Sequence, residues 1–308
     1  MVGLWAWLAC SGGNEPPAAT DEPPTPTAST GLASPTADSH APTSDSATEE
    51  PVCPNDDEPQ VVGVVADDTL IEASGLAYAG GLLWAHNDSG PSTLYGLTTQ
   101  GAVARRVTVT GMTIVDLEDI AVLGDTLWLA DVGDNLATRS GITLYAVPVP
   151  PEGATEVAAR AVELTWPDGP RDCETLLADP ISGDLLLLSK ELDGNVVVAR
   201  VVDPSAPTSE LEEVARVAFG PDGVGTGTYV TGGDVAPDGR GVVVRQYLDA
   251  LVFPRQPGEA WAETFARPPC SVDHLGEPQG EAVAWNDDGL FFVSEGSRPP
   301  LHHTPLSP

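Results

Sequence analysis

Acidic side chains stand at the start of a short apolar pattern that recurs along the chain. Glu118, Glu174 and Glu281 each begin a copy of this pattern, and more polar residues follow the second apolar run of each copy. Carboxylates gathered in one place repel each other unless a cation, a proton or a basic residue intervenes. The pattern therefore indicates cation binding or acid–base chemistry, provided that the fold brings the copies together.

Oxygen-rich clusters of this kind suit calcium, which takes about 6–8 oxygen ligands. The sequence predicts a calcium site whose ligands come from the acids near the beginnings of the copies: Glu72, Glu118, Glu174, Asp234 and Glu281. A structural alternative stays open, in which each acid binds backbone amides of a neighbouring unit or pairs with a basic residue.

Three residues are candidates for catalysis: His86, Glu118 and Glu281. A histidine changes its charge near neutral pH, so His86 is the first choice for an acid–base group. It has no nucleophile at a fixed spacing. A purely structural role at the end of a strand is therefore the alternative.

A second set of residues follows the apolar runs and is predicted to bind a ligand: Asn87, Asp88, Asp131, Asp134, Asn135, Lys190, Arg245, Tyr247 and Glu295. Several of these residues also suit simple turns, because Asp and Asn favour turns through local hydrogen bonds. The chain has no lysine besides Lys190. That side chain either binds an anionic group of a ligand or neutralises Glu174.

The charge of the chain narrows the classes of partner. It has 308 residues, with 46 Asp and Glu against 13 Lys and Arg, giving a formal net charge of −33. Such a surface repels phosphate backbones, so nucleic acid is excluded as a partner. Cations, cationic groups and neutral glycans are compatible with it, although acidity can also serve solubility alone.

The repeated pattern predicts the fold that positions these residues. Each copy is a short apolar strand, a turn rich in Gly, Asp and Pro, and a very apolar second strand, and most copies continue into a third and a fourth strand. The five copies begin at Ser74, Glu118, Glu174, Gly233 and Glu281. Four-stranded units at a spacing of about 40–50 residues are typical of propeller blades. We predict an all-β chain with a single β-propeller of five blades, or of six if residues 203–229 hide another.

In a propeller the first strand of each blade lines a central channel. The beginnings of the first strands and the ends of the second strands meet at one rim of that channel, which we call the mouth. The predicted catalytic, binding and metal-ligating residues are all expected there. The last copy is short of strands, so residues 60–65 are predicted to complete its blade and close the ring.

The cysteines are consistent with this closure. Cys53 precedes the predicted closing strand and Cys270 precedes the last copy, so both are expected near the seam of the ring. We predict a Cys53–Cys270 disulfide, as suits an exported protein. Cys173 is predicted to be a buried free thiol.

The first 58 residues are predicted to lie outside the propeller, which would occupy residues 59–308. Residues 1–10 resemble the end of a bacterial lipoprotein signal, with Cys10 as the lipidated residue; a plain secretion signal is the alternative. Residues 11–58 are rich in Pro, Thr, Ser, Asp and Glu, and are predicted to form a disordered linker. The expected location is the cell envelope or the extracellular space, with membrane contact only through the lipid anchor.

Several motifs resemble those of exported bacterial β-propeller proteins of undefined function, a group loosely similar to phytase-like and gluconolactonase-like propellers. The motifs are Asn87-Asp88-Ser89-Gly90, Leu117-Glu118-Asp119-Ile120-Ala121, Gly133-Asp134-Asn135, Gly280-Glu281-Ala282-Val283-Ala284 and Ser294-Glu295-Gly296. The resemblance implies acidic and amide groups around one channel mouth, often holding Ca²⁺.

Two main functions follow as hypotheses. The first is an envelope-anchored, monomeric module that binds a small ligand or an envelope protein at the mouth. The second is a calcium-dependent hydrolase of phytase-like or lactonase-like type that uses the acidic mouth. A purely structural role in the envelope is a third. The fold alone does not decide among them, because propellers serve all three.

Overall fold

A computed structural model of the chain describes residues 50–219 and 228–307. The predicted signal segment, Cys10 and most of the predicted linker lie outside these residues. Within the two described ranges, no helix combines the length and the apolar character needed to cross a membrane.

Five antiparallel four-stranded units form the blades, and the outer strands of blades 2 and 3 also pair in parallel, which joins these two blades into one eight-stranded sheet. Blade 1 contains β3 (Ala73–Ala79), β4 (Leu82–Asn87), β5 (Thr93–Leu97) and β6 (Val103–Thr110). Blade 2 contains β7 (Leu117–Leu123), β8 (Thr126–Asp131), β9 (Ile142–Pro148) and β11 (Arg160–Thr165). Blade 3 contains β12 (Cys173–Ala178), β13 (Leu185–Ser189), β14 (Asn195–Val201) and β15 (Thr208–Ala218). Blade 4 contains β16 (Val230–Val235), β17 (Gly241–Gln246), β18 (Ala250–Pro254) and β19 (Cys270–Ser271). Blade 5 contains β20 (Gly280–Asn286), β21 (Gly289–Ser294), β22 (Pro300–Ser307) and β2 (Gln60–Val64).

The innermost strands close a ring. β3 contacts β7, β7 contacts β12, β12 contacts β16, β16 contacts β20, and β20 returns to β3. The predicted single β-propeller with five blades is therefore confirmed. The stretch in which a sixth blade was considered supplies β15, the outer strand of blade 3.

The apolar core is divided among the gaps between blades. Five buried clusters lie in the five gaps, because successive residues of the strands point to opposite faces of each sheet. Leu176, for example, packs between blades 2 and 3, whereas Leu177 packs between blades 3 and 4. Both faces of each blade are thus apolar, which explains why the inner strands read as continuous apolar runs rather than as alternating ones.

The ring is closed by the beginning of the described chain, as predicted. β2 pairs antiparallel with β22 of the last blade, and the short strand β1 (Asn55–Asp56) pairs with the end of the same strand. The predicted disulfide is also present and joins Cys53 to Cys270 in β19 of blade 4. Cys173 is buried and stands outside any disulfide, again as predicted.

Two details differ from the predicted boundaries. β1 lies inside the segment predicted to be a disordered linker, so pairing with the last blade begins before residue 59. The outer strand of blade 2 is preceded by a short separate strand, β10 (Glu156–Ala158), which pairs in parallel with β6 of blade 1. A break between β10 and β11 lets this segment bridge the two blades.

One short helix, α1 (Trp261–Ala266), lies in the long connection between β18 and β19. Trp261 and Phe265 of this helix join the apolar cluster between blades 3 and 4. The buried Arg255 lies 3.9 Å from the centre of the Trp261 ring, and its Nη1 donates to Asp179 at 3.0 Å. These contacts hold the connection against the hairpin of blade 3.

Candidate functional site

The same backbone irregularity occurs at the mouth in all five blades. Each innermost strand has a break in register one residue after it begins, which leaves one residue without a direct partner on the second strand. We call these five the bulge residues: Ser74, Glu118, Glu174, Thr231 and Glu281. A β-bulge re-aims a side chain, and bulges are common beside functional sites. Five equivalent bulges thus form a set of polar groups at one rim.

All five bulge residues are buried, and three are glutamates. Ser74 Oγ donates to Glu118 Oε2 at 3.2 Å, which links blades 1 and 2. Thr231 Oγ1 donates to the backbone oxygen of Gly280 at 2.8 Å, which links blades 4 and 5. The two hydroxyl-bearing bulge residues therefore connect neighbouring blades, while the glutamates carry the charge.

The three bulge glutamates have raised pKa values. Burial and then the nearby Glu174 raise the pKa of Glu118 well above its ordinary value. Burial raises the pKa of Glu174 to about 7, although Lys190 opposes the shift. Burial, together with the charge of Glu174, raises the pKa of Glu281 to about 8. Glu174 and Glu281 therefore exchange protons near neutral pH, and the three carboxyl groups are not all ionised there.

Lys190 is the basic group at the centre of this arrangement. Its ammonium forms an ion pair with Glu174 and donates a hydrogen bond to Tyr247 Oη at 3.1 Å. It also lies 5.3 Å from the ring centre of Tyr247 and 5.9 Å from that of Tyr229. Burial alone would lower the pKa of Lys190, but Glu174 and Tyr247 together outweigh it and the pKa is raised. Of the two predicted roles for Lys190, the observed contacts match neutralisation of Glu174.

Two aspartates that the sequence analysis passed over extend the acidic region. Asp116 and Asp172 stand two residues before Glu118 and Glu174, in a repeated Asp-x-Glu pattern that would have revealed them. Burial and then the charge of Asp172 raise the pKa of Asp116. A Cβ on Gly133 would lie 2.2 Å from Glu118 Oε1 and 2.5 Å from Asp116 Cγ, so only glycine lets the backbone pass this close.

The predicted binding residues of blade 2 mainly hold their own loop. Asp131 accepts the backbone N–H of Asp116 at 2.8 Å and pairs with Arg139 at 3.2 Å. Asp134 accepts the backbone N–H of Arg139 at 2.7 Å. Asn135 forms a hydrogen bond to Asp116 that lowers the pKa of that carboxyl, against the stronger effects that raise it. The alternative of a simple turn therefore describes these residues better than direct contact with a ligand. Arg139, which binds Asp131 and the backbone oxygen of Gly133, was not predicted.

A second acidic group lies between blades 5 and 1. Asn87 Oδ1 accepts the backbone N–H groups of Ile71 and Glu72, each at 3.0 Å, and so fixes the loop before β3. Burial and then the neighbouring Glu72 raise the pKa of Asp88 to about 6. Burial followed by the charge of Glu72 also raises the pKa of Glu295. The fold therefore brings three of the predicted rim residues close together: Glu72, Asp88 and Glu295.

His86 does not reach the mouth, contrary to the role expected for it. It is 1% exposed, and a Cβ on Gly75 would lie 2.7 Å from its Nε2. Its Nδ1 lies 3.1 Å from the backbone oxygen of Asn87. Burial lowers the pKa of His86 to about 4, so the ring is neutral at physiological pH. The end-of-strand position suggested a rim residue, but the side chain points into the packed interior.

Asp234 also lies elsewhere than predicted. The fourth copy was taken to begin at Gly233, but the bulge of β16 lies at Thr231, so Asp234 sits deeper than the bulge residues. Asp234 accepts the backbone N–H of Trp285 in blade 5 at 2.8 Å. Asp119 likewise accepts that of Leu176 in blade 3 at 2.8 Å. The edge of each innermost strand that faces the channel has no strand beside it. Asp234 and Asp119 each accept one backbone N–H group on such an edge, which would otherwise lack a partner.

Arg245 is fully enclosed rather than presented to a ligand. Its Nη2 donates to Glu277 Oε2 at 2.5 Å, and both side chains are at most 1% exposed. A Cβ on Gly280 would lie 1.9 Å from the same nitrogen, so the guanidinium packs directly on the backbone of β20. Glu277 was not predicted because it lies in a loop before the repeated pattern.

The five residues predicted to bind calcium do not form one ligand set. Glu174 is engaged by Lys190, Asp234 by backbone amides, and Glu72 by Ser89 Oγ at 2.8 Å. Within residues 50–219 and 228–307, no group of three or more His, Cys, Asp or Glu side chains is arranged to hold a metal ion. Calcium binding at Glu118 and Glu281 would need ligands other than the remaining three predicted residues.

Comparison with known proteins identifies no family. No protein-family model matches the chain, and no curated protein matches its sequence. Among solved structures, a glucose dehydrogenase has a TM-score of 0.48 at 9% identity and covers 80% of this chain and 99% of its own. A nidogen–laminin complex has a TM-score of 0.43 at 14% identity, with 77% of this chain and 84% of that chain covered. A Trichoderma reesei carbohydrate-active enzyme of family AA12 has a TM-score of 0.43 at 12% identity, with coverages of 79% and 83%. Similarities at this level assign no activity and no ligand.

Proposed function

We propose that the protein is a binding module whose mouth recognises a cationic group of its ligand. The observation that carries the proposal is the set of three buried bulge glutamates, Glu118, Glu174 and Glu281, beside a single ammonium. Only one of the three carboxyls has a basic partner among their hydrogen bonds and ion pairs in residues 50–219 and 228–307. An incoming cation would balance the remaining charge.

Two further features favour a cation over an anion. The net charge of −33 steers cations towards the molecule and repels anions. Tyr229 and Tyr247 already face the ammonium of Lys190, and aromatic rings of this kind attract positive groups. Strongly shifted pKa values of buried carboxyl groups are also typical of functional residues.

Binding should depend on pH in a defined direction. The pKa of Glu281 is about 8, so this group is largely protonated at pH 6.5. A bound cation favours the ionised form, and binding therefore releases protons. The affinity for a cation should rise as the pH increases from 6.5 to 8.5.

The test uses arginine amide as the probe and isothermal titration calorimetry as the measurement. The double variant Glu118→Gln/Glu281→Gln should lose binding, because both uncompensated bulge carboxyls are gone. The matched control is Glu152→Gln/Glu156→Gln, two exposed acids far from the mouth, which changes the formal net charge equally. If both double variants lose affinity for arginine amide equally, net charge alone explains the binding and the proposal is contradicted.

Calcium is a separate proposal, which differential scanning calorimetry tests. A cation bound to the native state alone raises the temperature of unfolding. A rise of several degrees with Ca²⁺ that a chelator reverses, and that Glu118→Gln/Glu281→Gln removes, would support a calcium site at the mouth. An unchanged transition temperature would contradict it.

A hydrolase is the second candidate, favoured by carboxyl groups with pKa values of about 7 and 8 at one rim. Groups that exchange protons near neutral pH suit general acid–base catalysis. Turnover of a phosphoester, an ester or a lactone that Glu281→Gln abolishes would support this function. Because the pKa of His86 is lowered to about 4 and that of Glu281 is raised to about 8, we expect Glu281 rather than His86 to carry the proton near neutral pH.

Display at the cell envelope through a lipid on Cys10 remains a proposal. The Cys53–Cys270 disulfide supports export, since disulfides persist in oxidising compartments. Mass spectrometry of the mature N-terminal peptide is the test. A diacylglyceryl-modified Cys10 that Cys10→Ser eliminates would support the anchor, and an unmodified cysteine would contradict it.

A further inference from the structure

Five large apolar side chains are exposed on the loops that surround the mouth. Ile71 and Val115 precede the innermost strands of blades 1 and 2, whereas Leu136, Leu192 and Leu248 lie between the second and third strands of blades 2, 3 and 4. Because both kinds of loop reach the same rim in this topology, the five residues share one end of the propeller. We call them the apolar rim.

The exposure of the apolar rim is large. Leu136 is 82% exposed, Leu192 76% and Leu248 63%. Single apolar residues scattered over a surface need no explanation. Here one rim carries leucines at the tips of three equivalent loops, and none of them belongs to the five packed clusters. The other exposed large apolar residues lie away from the mouth, for example Ile181 and Val202.

The arrangement combines two features of protein-binding surfaces. Apolar side chains provide contact area, and the buried carboxyl groups at the centre provide a charged anchor point. One oxygen of these groups, Glu174 Oε2, is buried and lacks a hydrogen-bond partner, while the other oxygen of Glu174 accepts from Lys190. A buried acceptor without a donor is costly, and a donor from a ligand would remove this cost.

We infer that the mouth face docks another protein, which inserts a Lys or Arg side chain into the mouth and packs apolar residues on the apolar rim. This inference deepens the proposed function and rests on it, since the same three glutamates receive the cation. It adds that the ligand is a polypeptide and that Leu136, Leu192 and Leu248 determine its affinity. A small cation would leave the apolar rim uncovered.

Charge argues against other occupants of this face. A second copy would bring another surface of net charge −33, which repels the first. The first 49 residues of the chain contain no Lys and no Arg, so they cannot supply the cation. An anionic lipid surface is repelled for the same reason as nucleic acid. A basic protein surface is complementary in both charge and polarity.

The test is a selection of disulfide-cyclised peptides displayed on phage against the purified full-length chain. Enriched peptides should contain a Lys or Arg flanked by apolar or aromatic residues. The best peptide is then synthesised, and its affinity is measured by fluorescence polarisation. The Leu136→Ser/Leu192→Ser variant should weaken binding about ten-fold or more, because two exposed contact residues are lost.

The matched control is Ile181→Ser/Val202→Ser, which removes two exposed apolar residues away from the mouth and should leave the affinity unchanged. Replacing the basic residue of the peptide by citrulline, which is neutral, should abolish binding. Thermal unfolding of each variant verifies that the fold is intact. The inference would be overturned if neither the citrulline replacement nor the Leu136→Ser/Leu192→Ser change altered the affinity of the peptide. A failure to enrich any peptide would overturn it as well.

The two probes distinguish a failure of this inference from a failure of the proposed function. If arginine amide binds through Glu118 and Glu281 but the selected peptide ignores the apolar rim, the proposed function stands and the inference fails. If neither probe depends on the two glutamates, both fail. Sedimentation with neutral phosphatidylcholine vesicles that requires Leu136 and Leu192 would also overturn the inference, since it would assign the apolar rim to a membrane.

Discussion

Lys190 and Glu174 form an ion pair whose side chains are only 10% and 7% exposed. Lys190 directly follows the second strand of blade 3, and Glu174 is the bulge residue at the beginning of the first strand. The pair thus spans the hairpin at the mouth. It is also the point at which the charges of Glu118 and Glu281 are partly balanced.

Replacing Lys190 by methionine should destabilise the protein by about 3 kcal/mol at pH 8, because a buried carboxylate loses its partner. The cost should shrink at pH 6, where Glu174, whose pKa is about 7 even with the ammonium present, becomes protonated. Chemical denaturation at both pH values measures the difference.

The double variant Lys190→Met/Glu174→Gln provides the internal comparison and should be more stable than Lys190→Met at pH 8. The matched control is Arg200→Met, since Arg200 and its partner Glu212 are 40% and 54% exposed. We expect it to cost less than about 1 kcal/mol. If Lys190→Met and Arg200→Met lower the free energy of unfolding equally, the Lys190–Glu174 pair is as solvated as an exposed ion pair, and the prediction is contradicted.

The free energy of unfolding should fall as the pH rises from 6.5 to 8. Burial raises the pKa values of Glu174, Asp234 and Glu277 to about 7 and that of Glu281 to about 8. Unfolded carboxyls are ionised throughout this range, so the native state holds more protons and loses stability as the pH increases. Below pH 6.5 the curve should flatten, because buried histidines such as His86 have lowered pKa values and resist protonation.

Glu281→Gln tests the origin of this slope. The variant should remove about 1–2 kcal/mol of the change between pH 6.5 and 8. The exposed Glu152→Gln should leave the slope as it is. Urea unfolding at several pH values gives both results, and a slope that is identical in Glu281→Gln and in the parent would contradict the assignment.

Gly280→Ala should destabilise the protein by about 3 kcal/mol or more. The added Cβ would lie 1.9 Å from Arg245 Nη2, so the guanidinium would have to leave Glu277. Gly276→Ala is the control, because nothing lies within 4 Å of the added atom, and its effect should stay below about 0.5 kcal/mol. Similar melting temperatures for the two variants would mean that Arg245 moves without cost.

Removal of the disulfide by Cys53→Ala/Cys270→Ala should lower the free energy of unfolding by about 2–5 kcal/mol. The bond closes a loop with a sequence separation of 217 residues, and it ties the closing strands to blade 4. Hydrogen exchange should show the loss first in β1 and β2, before the innermost strands. Uniform acceleration across all five blades would argue against a local effect at the seam.

The repeated turns and apolar runs predicted the blades, the closing strand and the disulfide, because these depend on local strand chemistry and on the need to close a ring. The register was harder to predict. The sequence of residues 233–236 is similar to that of residues 118–121, which suggested that Gly233 is equivalent to Glu118. The bulge shows instead that Thr231 is the equivalent residue, two positions earlier. Only the pairing with β17 reveals this difference.

The candidate site was predicted as a region rather than as a set of contacts. Glu118, Glu174 and Glu281 lie at the mouth because equivalent positions of repeated units meet there. His86 and Arg245 follow the same pattern but turn inwards, since each fits against a glycine, Gly75 and Gly280 respectively. Arg139 and Glu277 lie in loops outside the repeat, where no pattern marked them.

The position of Cys53 ahead of β1 and β2 determines how the domain responds to pulling. Tension applied to the chain before Cys53 passes through the covalent bond to Cys270 and enters blade 4 directly. The strands between residues 55 and 64 carry none of that load and remain paired with β22. With the bond reduced, the same force would peel β1 and then β2 from the last blade, so the disulfide shields the closing strands from tension.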